Sequence, residues 1–239
     1  MKIPILMYHQ IDMPPPRGTP LRGLVVSPQS FRRQMQLLKL MGYTGLSMRN
    51  LEPYLRGDLQ GKVVGITFDD GYQNNLQHAL PTLKKLGFSA TCYAVSSMLG
   101  GQNSWDVDIG VAQKPLMTRG DFLEWLAAGM DVGSHTKTHA DLTAISPQLA
   151  GDQIQGSKYE LESALGYEVR HFCYPYGRFN ESQLNLVQSA GYITATTTQR
   201  GRVELGDHNL KLRRILIAQA TTSVHFALKI LSTYEDSRG

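Results

Sequence analysis

The stretch Val63-Val64-Gly65-Ile66-Thr67-Phe68-Asp69-Asp70-Gly71 decides the fold. Val63 to Phe68 reads as a buried strand, because it is an uninterrupted apolar and β-branched run bounded by turn residues. Two carboxylates then stand side by side at its end. Adjacent negative charges beside apolar surface repel each other and lose hydration. A fold that keeps both must supply compensating charge.

Outward from this stretch the chain alternates short apolar runs with helical patterns. Strands are expected at Ile3–Tyr8, Gly45–Ser47, Val63–Phe68, Ser89–Val95, Met130–Ser134, Val169–Tyr174, Tyr192–Thr197 and Leu212–Ile217. Between them, Ser27-Pro28 caps a helix carrying Phe31, Met35 and Leu38, with Gly42 at its end. Thr118 and Asp121 form a capping box before Phe122, Trp125 and Leu126. Ser146-Pro147 opens a helix running to Gly166, Asn180 caps another, and Val224 to Leu231 forms the last. About eight βα units of this kind lie near a (β/α) barrel, with an open doubly wound sheet as the rival. Pro14-Pro15-Pro16-Arg17-Gly18-Thr19-Pro20 reads as a surface loop.

Composition narrows the class. With 239 residues, 41% hydrophobic and 18% charged, the chain suits one domain spanning 1–239, with 235–239 expected as a flexible tail. The net charge of +4 comes without a basic cluster or stripe, which speaks against nucleic-acid binding. No run approaches the roughly 18 apolar residues of a membrane span, and the first residues are too short an apolar run for a signal peptide. The chain as given is therefore expected in the cytoplasm, or in an extracellular or periplasmic location if a leader has been removed. Cys92 and Cys173 are far apart and each lies in a strand-like run, so both read as buried free thiols. No G-x-G-x-x-G or Walker A sequence follows any strand.

The polar residues fall just beyond strand ends. His9 follows the first strand, Asp69-Asp70 the third and His135-Thr136-Lys137-Thr138-His139 the fifth, while Tyr176 follows the sixth in Tyr174-Pro175-Tyr176-Gly177. In barrels and open α/β sheets the carboxyl edge of the strands carries the active site. His135 and His139, at i and i+4, would share one face of a helical turn and could grip one metal, and a carboxylate from another strand would complete the set while leaving positions open for water. One of Asp69 and Asp70 could then ligate while the other faces the water, the metal's charge relieving their repulsion.

Thr67-Phe68-Asp69-Asp70-Gly71, His135-Thr136-Lys137-Thr138-His139 and Tyr174-Pro175-Tyr176-Gly177, in this order and separation, resemble the polysaccharide deacetylase family, which carries the NodB homology domain and is also called carbohydrate esterase family four. The resemblance runs from about Ile5 to Ile217. It implies a distorted (β/α) barrel of seven to eight parallel strands, so that one of the expected strands lies outside the ring. It implies a divalent metal, most often zinc, held by Asp70, His135 and His139, with Asp69 as general base and the Tyr176 N–H supporting the oxyanion. The reaction implied is removal of acetyl groups from N-acetylated sugars.

Two departures stand out. Many members carry an Arg where this chain has Cys173, and a His where it has Leu216-Ile217-Ala218-Gln219. The branch acting on poly-N-acetylglucosamine begins with a Tyr-His pair like Tyr8-His9, which makes His9 the candidate general acid. Along the strand Leu212–Ile217, Arg213 and Arg214 face opposite ways. One of the two must point into the barrel, where a buried guanidinium needs a carboxylate, and Arg214 is expected to be that one, against Asp69, in place of the missing Arg. His208 and His225 are spare acids, and His78 and His171 read as structural. Trp105 and Asp106 lie in a loop where an aromatic could stack on a sugar or cover the core. Two alternatives remain beside an N-deacetylase: a hydrolase of a small cyclic amide, which needs a closed pocket rather than an open groove, and a non-catalytic sugar-binding module.

Overall fold

The computed structural model describes residues 2–238. Its eight principal strands are β1 Ile5–Tyr8, β2 Thr44–Leu46, β3 Val63–Phe68, β4 Thr91–Ala94, β5 Asp131–Ser134, β6 His171–Cys173, β7 Thr194–Arg200 and β8 Leu212–Leu216. All are parallel to their neighbours. Seven close into a ring in the order β1, β8, β7, β6, β5, β4, β3, the last pairing back onto β1 from Ile5↔Gly65 to Tyr8↔Phe68. The open doubly wound sheet is thereby excluded.

The strand outside the ring is β2. It runs along the lower half of one edge of β3, pairing Thr44 with Val63 and Leu46 with Gly65. Above it β4 takes over the same edge at Thr67↔Thr91 and Phe68↔Cys92. Gly45 makes this approach possible, since a Cβ there would lie 2.5 Å from the Ile66 side chain and 2.7 Å from Phe88.

Helices α1 (Pro28–Leu40), α2 (Met48–Arg56), α3 (Leu80–Leu86), α4 (Arg119–Ala127), α5 (Pro147–Gly151), α6 (Ser157–Leu165), α7 (Glu181–Ser189) and α8 (Ser223–Leu231) surround the ring. The expected caps are present: Ser27 accepts from the Ser30 N–H, and Thr118 and Asp121 form their reciprocal box. The helix expected from Ser146 to Gly166 is a single run, with one wider turn, Asp152–Gly156, between α5 and α6. Two helices were not anticipated. Pro53 lies inside α2 and disguises it, and α3 follows a wide turn at Asn75–Ala79. None of the described helices is long and apolar enough to cross a membrane.

Strand alternation sorts side chains into two cores. Leu6, Tyr8, Ile66, Phe68, Cys92, Phe172 and Ile215 point outward and pack under the helices, where Phe68 touches Tyr8, Phe31 and Trp125. Ile5, Val63, Tyr93, Cys173 and Leu212 point inward, and α2 floors the ring with Met48, Leu51 and Leu55. Gly133 leaves room for Tyr93, its register partner on the adjacent strand, since a Cβ there would lie 2.4 Å from the Tyr93 side chain. Arg214, two residues on from Leu212, is therefore an inward residue, while Arg213 turns outward to Asp207 at 2.9 Å.

Glu235, placed in a flexible tail by composition, is fully buried. It pairs with Arg200 at 2.8 Å and with Lys229, and Asp236 pairs with Arg202 and Lys2.

Candidate active site

The carboxyl ends of β1, β3, β5 and β6 deliver His9, Asp69-Asp70, His135-His139 and Tyr176 to one pocket of about 610 Å³. The backbone there is held in uncommon conformations. Five non-glycine described residues have positive φ: Leu21, Asp70, Thr136, His139 and Tyr176. Four of these line the pocket, and Thr136 adjoins His135. Left-handed backbone at such residues costs on the order of 1–3 kcal/mol each and persists only where the surroundings impose it.

Strand β3 ends at Phe68, and the chain then separates the two acids. Asp69 is received by Arg214, which donates from Nη1 to Oδ1 at 2.6 Å and from Nη2 to Oδ2 at 2.7 Å. The guanidinium is fully buried, and its other donors reach the Thr197 carbonyl at 2.8 Å, Thr67 Oγ1 at 3.0 Å and Cys173 Sγ at 3.1 Å. Burial works against the Asp69 charge, but Arg214 outweighs it and holds the carboxyl below the usual carboxylate range. Strand alternation allows one of Arg213 and Arg214 inside the ring, and Arg214 is the one that meets Asp69. The same alternation brings Cys173 beside the guanidinium.

Asp70, with φ 74°, turns the other way. Its Oδ1 lies 3.4 Å from His135 Nε2 and 3.3 Å from His139 Nε2. Burial opposes its charge, yet the two imidazoles hold it well below the ordinary range. The histidine pair does not sit on a helical turn as its spacing suggested. Residues 136–138 form a tight turn, with positive φ at Thr136 and His139, and this turn converges the two rings. Their centroids are 4.8 Å apart. His135 Nδ1 donates to the Cys173 carbonyl at 2.7 Å, which fixes the ring with Nε2 turned toward Asp70. His139 Nδ1 meets the Tyr176 hydroxyl at 3.2 Å, with the Tyr176 ring edge-on to it.

His9 Nε2 lies 4.0 Å from Asp69 Oδ2. Its carbonyl accepts from Asn75 Nδ2 at 2.7 Å, which fixes the residue beyond the end of β1. Tyr176 has φ 58°, and its N–H has no hydrogen-bond partner among the described residues. Gly177 keeps this turn tight: a Cβ there would lie 2.0 Å from Thr198 Oγ1. The spare histidines His208 and His225 are exposed and lie away from the pocket, as does His78. His171 is buried at the opposite end of its strand, with Nδ1 against Thr194 Oγ1 at 2.9 Å.

For the loop after β4 the sequence allows Trp105 either to stack on a sugar or to cover the core. In the structure Trp105 lies flat on His139, with centroids 4.6 Å and planes 20° apart, and Asp106 lines the pocket beside it. Arg200 and Lys229 also reach the wall, a placement that no local motif signals.

The triad suits a divalent cation. Asp70, His135 and His139 present one ligand atom each within 4.8 Å of one another, all buried. Asp70 Oδ1 is a buried oxygen with no hydrogen-bond partner, aimed at two imidazole nitrogens, and one carboxylate with two imidazoles is a donor set that zinc favours. Asp69, His135 and Cys173 also lie close together, but Arg214 occupies both Asp69 oxygens and repels a second cation there.

Over residues 56–195 the chain matches the polysaccharide deacetylase family. It is similar to the Streptococcus pyogenes deacetylase PplD, whose structure was determined in complex with acetate. The identity is 30%, with TM-score 0.83 and coverage of 96% of this chain and 98% of the other. A polysaccharide deacetylase from Bacillus cereus is 31% identical, with TM-score 0.80 and coverage of 96% and 69%. The poly-beta-1,6-N-acetyl-D-glucosamine N-deacetylase of Staphylococcus epidermidis is 26% identical over 211 residues, covering 83% of this chain and 70% of that one.

Proposed function

Because the chain belongs to the polysaccharide deacetylase family, we propose that it is a metal-dependent hydrolase removing N-acetyl groups from an amino-sugar polysaccharide or its precursor. Asp70, His135 and His139 would hold the ion, with zinc the best match to the donors. When bound, it would supply Lewis-acid polarisation of the acetamide carbonyl and make the attacking water more acidic.

The chain's own residues do the rest. Asp69, kept ionised by Arg214, accepts the proton of the attacking water. Arg214 engages both oxygens and so fixes the plane of the carboxylate while leaving lone pairs free. The unpartnered Tyr176 N–H is the donor for the developing oxyanion. An amine leaves poorly unless protonated, and His9, across from Asp69, delivers that proton.

The observation that carries this reading is the buried, unpartnered Asp70 Oδ1 between two imidazole Nε2 atoms. The acetate in the PplD structure and the poly-N-acetylglucosamine named for the staphylococcal relative support acetyl release from an amino sugar. An extended substrate is favoured over a small cyclic amide because Gln10, Leu21 and Val111 line both this pocket and a neighbouring cavity of about 190 Å³, which prolongs the cleft along the proline-rich loop. A sugar-binding module has no use for a carboxylate locked in a buried guanidinium fork beside a metal triad.

The test is acetate release from N-acetylglucosamine oligomers by protein stripped of metal and reloaded with divalent ions one at a time. Turnover that returns with an ion and is absent in Asp69→Asn supports the reading. No acetate with any ion on any N-acetylated sugar sinks it.

A further inference from the structure

Six carboxylates among the described residues are buried: Glu52, Asp69, Asp70, Asp106, Asp131 and Glu235. Five have a cationic or imidazole partner. Glu52 faces Arg170 at 2.8 Å, Asp69 faces Arg214, Asp70 faces two histidines, Asp131 faces Arg49 at 3.6 Å and Glu235 faces Arg200. Asp106 alone has none within 4.0 Å among the described residues. It is 7% exposed, and that exposure is toward the pocket. The Asn103 side chain is a neighbouring donor, and a desolvated carboxylate with room for further donors is costly unless they are supplied.

Its position is built rather than incidental. Asp106 lies on the short helical turn Ser104–Ile109. Its neighbour Trp105 is pressed flat on His139, and the Val111 N–H closes the loop onto the Asp106 carbonyl at 3.3 Å. The carboxylate is thus anchored next to the triad. The pocket it enters is lined on its apolar side by Leu21, Leu24, Ile109 and Val111, with Gln10, Thr198 and the two acids Asp69 and Asp70 among the other acceptors.

A carboxylate only accepts, and it has room for two donors at once. In a pocket that takes an N-acetylated amino sugar, the donors are the acetamide N–H, which every secondary acetamide shares, and the ring hydroxyls, which mark the sugar. Resting on the deacetylase reading above, we infer that Asp106 is a specificity determinant: it accepts hydrogen bonds from the hydroxyls of the sugar seated in the pocket and so selects a hydroxylated ring over other acetamides. A site built to hydrogen-bond hydroxyls rejects an analogue lacking them, because its buried acceptor is left unpaired.

Two measurements test this. The first is equilibrium binding of N-acetylglucosamine oligomers to wild type and Asp106→Asn, with metal content measured in parallel. The expected result is a Kd weakened about 10- to 100-fold with unchanged metal content, and a kcat/KM loss that lies mainly in KM. The second uses methyl N-acetylglucosaminide deoxygenated in turn at O3, O4 and O6. One deoxy compound should bind wild type as weakly as it binds Asp106→Asn, with the two losses failing to add. Unchanged oligomer binding overturns the inference, as does loss of bound metal or full additivity for every deoxy compound. With Asp69→Asn added to both proteins to suppress turnover during the binding measurement, these results stand apart from the deacetylase reading, which fails if no N-acetylated sugar yields acetate with any ion.

Discussion

Arg214 and Asp69 meet across the interior of the ring as a two-pronged pair, with donor distances of 2.6 and 2.7 Å and the guanidinium fully buried. The arginine comes from β8 and the acid from the end of β3, 145 residues apart in the chain. Removing one member of such a pair strands the other charge, at about 3–5 kcal/mol. Arg214→Met should therefore lower the melting temperature by on the order of 10 °C. Asp69→Asn combined with Arg214→Met should recover much of that loss. Arg214→Lys keeps the charge without the fork, so it should fold better than Arg214→Met and still lose turnover by about 10-fold or more. Calorimetry of these variants and of Asp69→Asn alone decides the coupling, and strictly additive losses would show that the pair is not coupled.

The two adjacent acids should separate cleanly by assay. Asp70 faces the imidazoles and Asp69 faces the arginine. Asp70→Asn and His139→Ala should lose stoichiometric divalent metal on dialysis. Asp69→Asn should keep it and lose about 100-fold or more in kcat, the scale of a missing general base. Elemental analysis beside acetate release checks this. Metal loss in Asp69→Asn, equal to that in Asp70→Asn, would merge the roles assigned to the two residues.

How much of this was legible in sequence follows from where the information lies. Asp69-Asp70 and the two histidines are close in the chain and carry their chemistry in residue type, so the motifs expose them. The strict period of two of a strand requires that one of Arg213 and Arg214 point inward, and the inward Leu212 two residues earlier makes it Arg214. The helical spacing of His135 and His139 misled, since positive φ at Thr136 and His139 brings the rings together through a turn. That β2 lies outside the ring depends on β2 and β4 sharing one edge of β3, a consequence of register that no local pattern encodes. The place of Asp106 in the pocket goes with Trp105 stacking on a histidine from another strand, a contact no local pattern encodes. Pro53 hid α2. The burial of Glu235 needs two cations from distant elements, Arg200 on β7 and Lys229 on α8.

His9 should matter in proportion to how poor the leaving group is. Its Nε2 lies 4.0 Å from Asp69 and its backbone is held by Asn75. His9→Gln should lower kcat on N-acetylglucosamine oligomers by about 100- to 10,000-fold. On p-nitrophenyl acetate, whose leaving group needs no proton, the loss should be much smaller. Equal losses on both substrates would remove His9 as the acid.

Glu235 gives the acid limb of stability a definite sign. Burial opposes its charge, but the hydrogen bonds from Arg200 and Lys229 outweigh burial and hold its carboxyl below the ordinary glutamate range. The folded state therefore binds fewer protons at Glu235 than the unfolded chain does. Stability from this group is complete above the unfolded value of about 4.3 and is lost as pH falls through the lower folded value. Glu235→Gln removes that contribution. Asp236, held low by Arg202 and Lys2, is left in place. At pH 7 the variant should be less stable than wild type, and the gap should narrow below about pH 4 as wild-type Glu235 protonates. Urea midpoints from pH 7 to 3 measure the gap directly. Two curves that stay parallel across this range would mean that Arg200 and Lys229 do not hold Glu235 ionised.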